Sequence, residues 1–214
     1  MSTVEKITVG GVLQEGIGLG LKNAPSLLVA VILWLLTFWI PYLNVGTTIA
    51  LSAIPIELSK GKIISPTFIF DSKYRKYMGE YFTLIGLMVL AIYPALMFVV
   101  VPGIIIAIGW SLAIYLMIDK GISPTEAMIQ SNKATYGYKG TIFLVSLVVG
   151  IVMFILMAIF ALIPFIGILL SLIAMLCFMV VNLGCSAVIY RDLTKDSPGE
   201  ISAPAPSISE TSGI

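Results

Sequence analysis

The sequence contains no histidine and very few charged residues. Of its 214 residues, 11% are charged and 59% are apolar. A soluble domain carries roughly a quarter charged residues, because its surface faces water. Without histidine, the commonest general base and the commonest metal ligand are both missing. The composition therefore excludes an ordinary soluble domain, gives no sign of nucleic-acid binding, and predicts a polytopic integral membrane protein.

Cysteine is also scarce. The two cysteines, Cys177 and Cys185, both lie in the last apolar run of the chain. On one helix they would be separated by about 12 Å, which is too far for a disulfide. We interpret them as small apolar residues that pack between helices.

Three long runs of the sequence contain no Asp, Glu, Lys or Arg. One helical span needs about 20 apolar residues, so each run is long enough for two spans. Proline and glycine interrupt each run near its middle, which is typical of a turn between helices. Each run therefore predicts a helical hairpin. The runs are 23–56, 81–118 and 140–190, with turns at IPYLNVG (40–46), VVPG (100–103) and IPFIG (163–167).

The predicted fold is an all-α integral membrane protein with six transmembrane helices in three hairpin repeats. The second and fourth spans have only about 15 apolar residues each, giving ~22 Å of helix against a hydrocarbon core of ~30 Å. The first two hairpins therefore either cross a tilted or thinned bilayer, which we favour, or re-enter without crossing. The six spans are expected at about 24–41, 44–58, 82–101, 103–118, 141–162 and 165–189.

A small residue follows each turn glycine four positions later. This spacing lets helix backbones approach closely in lipid, and its recurrence in all three runs supports an internal repeat. The pairs are Gly46/Ala50, Gly103/Ala107 and Gly167/Ser171.

The distribution of positive charge predicts the orientation of the chain. All 12 Lys and Arg lie in the N-terminal segment, the two links between hairpins, or the C-terminal segment. Loops rich in Lys and Arg stay in the cytoplasm. We therefore expect both termini and both links to be cytoplasmic, with the turns on the opposite side.

The tetrapeptide ISPT occurs at 64–67 and again at 122–125, and it has the features of a helix start. In the second copy Ser123 can cap, Pro124 suits the first helical position, and Glu126 completes a capping box. Aromatic residues between positions 66 and 81 fall on one helical face, with charged residues on the others. We therefore predict a cytoplasmic interfacial amphipathic helix before each hairpin, the N-terminal VGGVLQEGIGLGLKN forming the first.

These units predict a single helical membrane domain at 1–193, with a disordered cytoplasmic tail at 194–214. Each repeat consists of an interfacial helix, a span, a turn and a second span. The three copies cover about 8–60, 64–120 and 122–193.

The stretch YLMIDKGISPTEAMIQSNKATYGYKGTIF (115–143) carries a recognisable pattern. An acidic residue closes a span, glycine and Glu-Ala follow, then serine, and then glycine and an aromatic residue that lead into the next span. The matching residues are Asp119, Gly121, Glu126, Ala127, Ser131, Gly140 and Phe143. This pattern resembles a signature of uncharacterised bacterial membrane proteins related to the membrane domain fused to some glycerophosphodiester phosphodiesterases. The resemblance implies a helical bundle in the bacterial cytoplasmic (inner) membrane. It implies no chemistry, because the phosphodiesterase domain of those fusions is separate.

Three carboxylates, Glu57, Asp119 and Asp192, end the second, fourth and sixth spans. A ring of carboxylates at one depth would bind cations or carry protons. We favour the simpler interpretation that they form salt bridges at interfacial helix ends. Asn182, inside the sixth span, either donates a hydrogen bond between helices, which we favour, or lines a polar cavity.

A group of cations in the two links is the candidate contact for lipid headgroups. Each cation near an anionic leaflet gains roughly 1 kcal/mol. The same charges also follow from cytoplasmic orientation alone, which we consider the stronger explanation. The residues are Lys73, Arg75, Lys76, Lys133 and Lys139.

The sequence predicts no catalytic residue, cofactor site or metal site. The preferred hypothesis is a non-enzymatic scaffold or accessory protein whose interfacial helices bind membrane lipids, including anionic ones, or a partner. That partner would be a second copy of the chain or another membrane protein, and not nucleic acid. The alternative is a small transporter or lipid-handling protein with a cavity between the repeats.

Overall fold

The computed structural model describes residues 7–195, and every regular element in that range is helical. In this range nine α-helices are present, and two of the segments that connect them contain three 3-10 turns. The α-helices are α1 (Val9–Lys22), α2 (Ala24–Leu36), α3 (Pro41–Ser59), α4 (Met78–Phe98), α5 (Val100–Gly109), α6 (Ala113–Lys120), α7 (Pro124–Thr135), α8 (Lys139–Ala161) and α9 (Ile166–Thr194). The 3-10 turns are Thr37–Trp39, Phe68–Phe70 and Ser72–Tyr77.

Four helical segments in the described range are long and apolar enough to cross a membrane. A fifth is obtained when α1 and α2 are taken together, although these helices are bent by 78° at their junction. Helix α3 is not among them, so the six-span count and the threefold repeat stay predictions. The four segments are Ser72–Phe98, Val100–Lys120, Lys139–Ala161 and Ile166–Thr194.

Helix α3 forms the centre of the core. Along its length Ile49, Ala50 and Ile54 are fully buried, and the helix packs against α9, α6 and the two 3-10 turns of residues 68–77. We term the part of the molecule that surrounds it the base. The base comprises α1, α3, α6, α7, residues 60–77 and the C-terminal half of α9. It therefore contains the charged links, whereas the hairpin tips are exposed and apolar.

The hairpin turns lie slightly earlier in the chain than the sequence predicts. The backbone is extended at Ile40 and Val99, and the next helix begins at once in both cases. The turn glycines therefore lie inside helices. A Cβ on Gly103 would lie 2.8 Å from the backbone nitrogen of Leu96 on α4, so this glycine does allow close packing of α5 against α4.

The first and third turn glycines have different neighbours. A Cβ on Gly167 would collide with the carbonyl oxygen of Phe160 on the preceding helix. A Cβ on Gly46 would instead contact the side chain of Arg75, which comes from the following link. The small residue therefore brings the two helices of a hairpin together in the second and third hairpins only.

The prediction of one amphipathic α-helix over 66–81 is wrong. The backbone is extended at Asp71, whose side chain accepts a 3.0 Å hydrogen bond from the backbone N–H of Lys73. This bond caps the second of two 3-10 turns, Ser72–Tyr77, and α4 begins only at Met78. Tyr74 points into the core as a result and is buried.

The other two helices that we predicted ahead of hairpins are formed. Pro124 occupies the start of α7, and the hydroxyl oxygen of Ser123 accepts a 3.3 Å hydrogen bond from the N–H of Glu126. Helix α1 is formed at the N-terminal end of the described residues. Of the predicted tail at 194–214, all but the first two residues lie outside the described range.

Helix α1 packs directly onto α9 through glycines. A Cβ on Gly184 would collide with the carbonyl oxygen of Gly16, and a Cβ on Gly20 would lie 2.9 Å from the carbonyl oxygen of Val180. Gly16 and Gly20 are four residues apart, which is the small-xxx-small spacing. The first and third glycines of GIGLGLK, Gly16 and Gly20, thus allow this helix packing. An ion pair between Glu15 and Arg191 also joins α1 to α9.

Candidate functional site: a charged cavity beside α3

A cavity of about 210 Å³ opens between α3, the 3-10 turn Ser72–Tyr77 and α6. We term it the base cavity. Its apolar wall is formed by Ala53, Ile56 and Ile118, and its polar wall carries both carboxylates and ammonium groups. It therefore combines an apolar surface with charges of both signs, as the headgroup region of a membrane does.

Two of the three carboxylates singled out from the sequence meet at this cavity. Glu57 comes from α3 and Asp119 from the end of α6. Lys62 Nζ lies 2.6 Å from Glu57 Oε2, and Lys60 Nζ lies 2.5 Å from Asp119 Oδ1. Asp119 also accepts a 2.6 Å hydrogen bond from the hydroxyl of Tyr190. Both carboxylates are thus neutralised by cations, as the salt-bridge interpretation expects.

Asp192 is not part of this cavity lining, so the three carboxylates do not form one ring around it. Its Oδ1 lies 2.8 Å from Nε of Arg191 and 3.3 Å from Nζ of Lys195. Arg191 also binds Glu15 on α1. This cluster joins α1 to α9 and has a structural role.

Lys73 and Lys76 supply the positive charge of the base cavity. Lys73 Nζ lies 2.9 Å from Oδ2 of Asp71 and 4.8 Å from the ring centroid of Tyr74. Lys76 Nζ lies 4.8 Å from the ring centroid of Tyr77, and within residues 7–195 it makes no ion pair. Because the backbone N–H and then the ammonium of Lys73 bind its carboxylate, the pKa of Asp71 is lowered from its ordinary value.

The remaining candidate cations lie elsewhere. Arg75 lies along the N-terminal half of α3, against Gly46. Lys133 is exposed on α7, and Lys139 Nζ donates a 2.8 Å hydrogen bond to Oδ1 of Asn132. The five cations predicted as lipid contacts therefore do not form one patch.

Asn182 and the cysteines have the environments of surface and packing residues. Asn182 is exposed on α9, and its side chain makes no hydrogen bond within the described part of the chain, so the expected interhelical bond is not formed there. Cys177 is exposed and Cys185 is buried, and both are free thiols. Cys185 packs where a Cβ on Gly16 would lie 2.7 Å from its sulfur, in agreement with a packing role.

Tyr190, which binds the cavity residue Asp119, was not predicted from the sequence as part of a site. It is buried on α9, and its ring meets that of Tyr115 edge to face with centroids 5.8 Å apart. Its partner Asp119 is far away in the sequence, so no local pattern could have identified the pair. Its position next to Arg191 and Asp192 gave the only signal that this end of α9 is polar.

A second cavity, of about 270 Å³, lies between α1, α8 and α9. Its lining consists of apolar side chains such as Leu13, Val152 and Phe178. Such a surface fits an acyl chain and offers no polar chemistry. In the described residues, no group of three or more His, Cys, Asp or Glu is placed to hold a metal ion.

No family model matches the chain, and searches of curated proteins and of solved structures give no significant match. The base cavity and the hairpins are therefore the features from which we infer a function.

Proposed function

We propose that this chain is a non-enzymatic integral membrane protein, a scaffold or accessory protein that binds anionic phospholipid headgroups at the base cavity. In this proposal the three hairpins enter a bacterial cytoplasmic membrane, and the base and both termini are cytoplasmic. The observation that carries the proposal is the cavity charge. Glu57, Asp119 and Asp71 each have a lysine partner, whereas Lys76 has no ion pair within residues 7–195. The spare charge of the cavity is thus positive.

The exposed hairpin tips support a membrane location. Trp39, Phe98 and Phe165 are 86%, 89% and 91% exposed at the three turns. Large contiguous apolar surfaces of this kind are rare on soluble monomers and mark contact with membranes or partners. The exposed apolar tips are stabilised when they lie among acyl chains. Because the base is at the opposite end of the hairpins, it is then expected to lie at the level of the headgroups.

The aromatic residues beside the two lysines fit the same environment. Tyr74 and Tyr77 lie under the ammonium groups of Lys73 and Lys76. Tyrosine is enriched at membrane–water interfaces because its ring is apolar and its hydroxyl is polar. A phosphate that approaches Lys76 would gain a charge-assisted hydrogen bond.

The test is a charge reversal with a matched control. Lys76→Glu removes about 1 kcal/mol of attraction to an anionic leaflet and adds a similar repulsion, which corresponds to roughly 30-fold in affinity. Lys133→Glu makes the same change of charge on exposed α7 and serves as the control. The measurement is the amount of anionic lipid that co-purifies with each protein, determined by mass spectrometry.

We expect Lys76→Glu to lose most of its anionic lipid and Lys133→Glu to retain it. The triple variant Lys73→Glu, Arg75→Glu, Lys76→Glu should show no retention above background. Equal lipid retention by Lys76→Glu and Lys133→Glu would contradict a specific headgroup site and would leave orientation as the only role of these charges.

The apolar cavity favours the alternative, a lipid-handling protein. Its lining between α1, α8 and α9 would hold an acyl chain while the base cavity held a headgroup. The alternative predicts that the reconstituted protein moves fluorescent phospholipid between leaflets, measured by chemical quenching of the outer leaflet. Narrowing the cavity with Val152→Trp should slow that movement, and protein-free rates in the wild type would exclude the alternative.

A further inference from the structure

The contact between Arg75 and Gly46 places a cation beside the first hairpin. A Cβ on Gly46 would lie 3.2 Å from Cγ and 3.7 Å from Nε of Arg75. Gly46 lies ~18 Å along α3 from Leu58, where the charged end of the helix begins. If α3 crossed a core of ~30 Å from Leu58, the Arg75 guanidinium would therefore lie near or beyond the middle of the hydrocarbon.

Such a position is costly for arginine and for the whole link that carries it. A charged side chain at the centre of a bilayer costs at least about 2.5–3.5 kcal/mol. The two 3-10 turns of residues 68–77 pack against α3 together with Arg75, so the charged link lies along the helix and not only at its end. The physical solution is that α3 from Gly46 to Ser59 lies at the level of the link, outside the hydrocarbon core, and only the part next to the tip enters it.

The contents of the first hairpin agree with this position. Trp34 Nε1 donates a 2.9 Å hydrogen bond to the hydroxyl of Thr48, and the hydroxyls of Thr37 and Thr47 lie 2.9 Å apart. A hairpin that is closed by polar side chains and covered by a charged link is suited to the interface. Its most exposed apolar side chain is Trp39 at the tip, and Val29 and Ile32 on α2 are exposed to a smaller extent.

The second hairpin is limited by α5, although the segment that contains α4 is by itself long enough to cross. Its tip at Val99 lies ~15 Å along α5 from Gly109. A Cβ on Gly109 would lie 3.1 Å from the Lys139 ammonium nitrogen and 2.8 Å from Asn132 Oδ1. Beyond Gly109, α6 is covered by α7. If Lys139 lies at the edge of the hydrocarbon, the tip at Val99 therefore reaches only about half of the way across a core of ~30 Å.

The third hairpin has no such limit. From Lys139 to Leu162 helix α8 provides ~34 Å, and from Phe165 to Arg191 helix α9 provides ~39 Å. Helix α8 alone therefore exceeds the hydrocarbon thickness of ~30 Å, and α9 does so together with the C-terminal half that packs against α1 in the base. In the described residues no charged side chain lies between these points on either helix.

We propose that only the α8–α9 hairpin crosses the bilayer, whereas the α2–α3 and α4–α5 hairpins enter from the base side and turn back among the acyl chains of the near leaflet. Two crossings then replace the six that charge-free runs predict. The surface around Trp39, Phe98 and Val100 is a contact for one leaflet. This topology holds whether or not the base cavity binds a headgroup.

The test is labelling of single cysteines with a membrane-impermeant maleimide, in a full-length chain with Cys177→Ser and Cys185→Ala. Tyr42→Cys, Phe98→Cys and Leu162→Cys report on the three tips, and Lys62→Cys reports on the base. Each variant is labelled in intact cells, in inverted membrane vesicles and in detergent. Labelling in detergent establishes that each thiol is reactive, and Trp39→Cys and Val100→Cys provide second positions where a first variant fails to accumulate.

We expect Leu162→Cys to be labelled in intact cells and Lys62→Cys only in inverted vesicles. Tyr42→Cys and Phe98→Cys should show background labelling in intact cells and full labelling in detergent. External labelling of either tip at the level of Leu162→Cys would overturn the proposal for that hairpin. Failure of Leu162→Cys to react from outside, with full reaction in detergent, would overturn the crossing of the third hairpin.

Discussion

The hydroxyl of Ser131 donates a 2.7 Å hydrogen bond to the carbonyl oxygen of Gly109, across the corner where α5 ends and α7 packs against it. The same hydroxyl accepts a 3.1 Å hydrogen bond from the N–H of Leu112. It therefore satisfies a carbonyl and an amide that the break between α5 and α6 leaves without helical partners. Ser131 is fully buried, so water cannot substitute for it.

Ser131→Ala should destabilise the protein by about 1–3 kcal/mol, because two buried backbone groups lose their partner. The measurement is thermal unfolding in detergent. Ser111→Ala is the matched control, since the Ser111 hydroxyl, in the turn after α5, donates a local 2.8 Å hydrogen bond to the carbonyl of Ile108. Thr135 also donates a hydrogen bond to the carbonyl of Gly109. Equal melting temperatures for Ser131→Ala and Ser111→Ala would show that Thr135 stabilises the corner without the Ser131 hydroxyl.

The pattern in 115–143 is accounted for by contacts of this kind. Gly121 has a left-handed backbone with φ of 64° and ends α6. Ala127 is fully buried where α7 packs on α6, and Ser131 closes the corner with Gly109. Asp119 binds Lys60 and Tyr190. These residues hold a helical corner together, so a recognisable sequence pattern here indicates architecture.

Gly121→Ala should cost about 1–2 kcal/mol, because a Cβ is disfavoured in the left-handed region. A steric clash is not the cause, since no atom of the described residues lies within 4 Å of a Cβ at this position. Gly140→Ala is the control: it also has open space, but it lies in the first turn of α8 with ordinary dihedral angles. Equal melting temperatures for Gly121→Ala and Gly140→Ala would show that the left-handed backbone at Gly121 is not the cause of the destabilisation.

The helical class could be predicted because the runs without charge are long, and lipid satisfies no backbone hydrogen bonds. The burial of α3 could not, because its Thr47 and Thr48 bind partners on the preceding helix in a way that no local pattern reveals. The break between the two 3-10 turns at 68–77 lies at Asp71, whose side chain caps the second turn, and the helical spacing of the aromatic residues did not reveal it. The base cavity depends on long-range contacts, such as those of Asp119 with Lys60 and Tyr190.

Gly184→Ala should strongly destabilise the contact between α1 and α9. The added Cβ would meet the carbonyl oxygen of Gly16, and backbone cannot move aside as a flexible side chain can. We expect a loss of about 1–3 kcal/mol from overpacking, with earlier proteolysis of α1. Gly18→Ala adds the same methyl group to α1 where nothing lies within 4 Å, so it should stabilise by up to about 1 kcal/mol through helix propensity. An unchanged melting temperature for Gly184→Ala would contradict the close packing.

Asp119 has two partners, and their burial predicts which of them matters more. The Tyr190 hydroxyl donates to Asp119 from a buried position, and a hydrogen bond to a charged group contributes about 1.5–3 kcal/mol. The Lys60 side chain is 44% exposed, and an exposed ion pair contributes about 0.2–1 kcal/mol. Tyr190 should therefore be the dominant partner.

Two double-mutant cycles in denaturant unfolding test this order. The first combines Tyr190→Phe with Asp119→Ala, and the second combines Lys60→Ala with Asp119→Ala. We expect the coupling energy of the tyrosine cycle to exceed that of the lysine cycle by at least about 1 kcal/mol, and raised salt to weaken only the lysine cycle, since exposed charges are screened. A larger coupling for Lys60 would show that the ion pair, and not the buried hydroxyl, fixes the carboxylate at the base cavity.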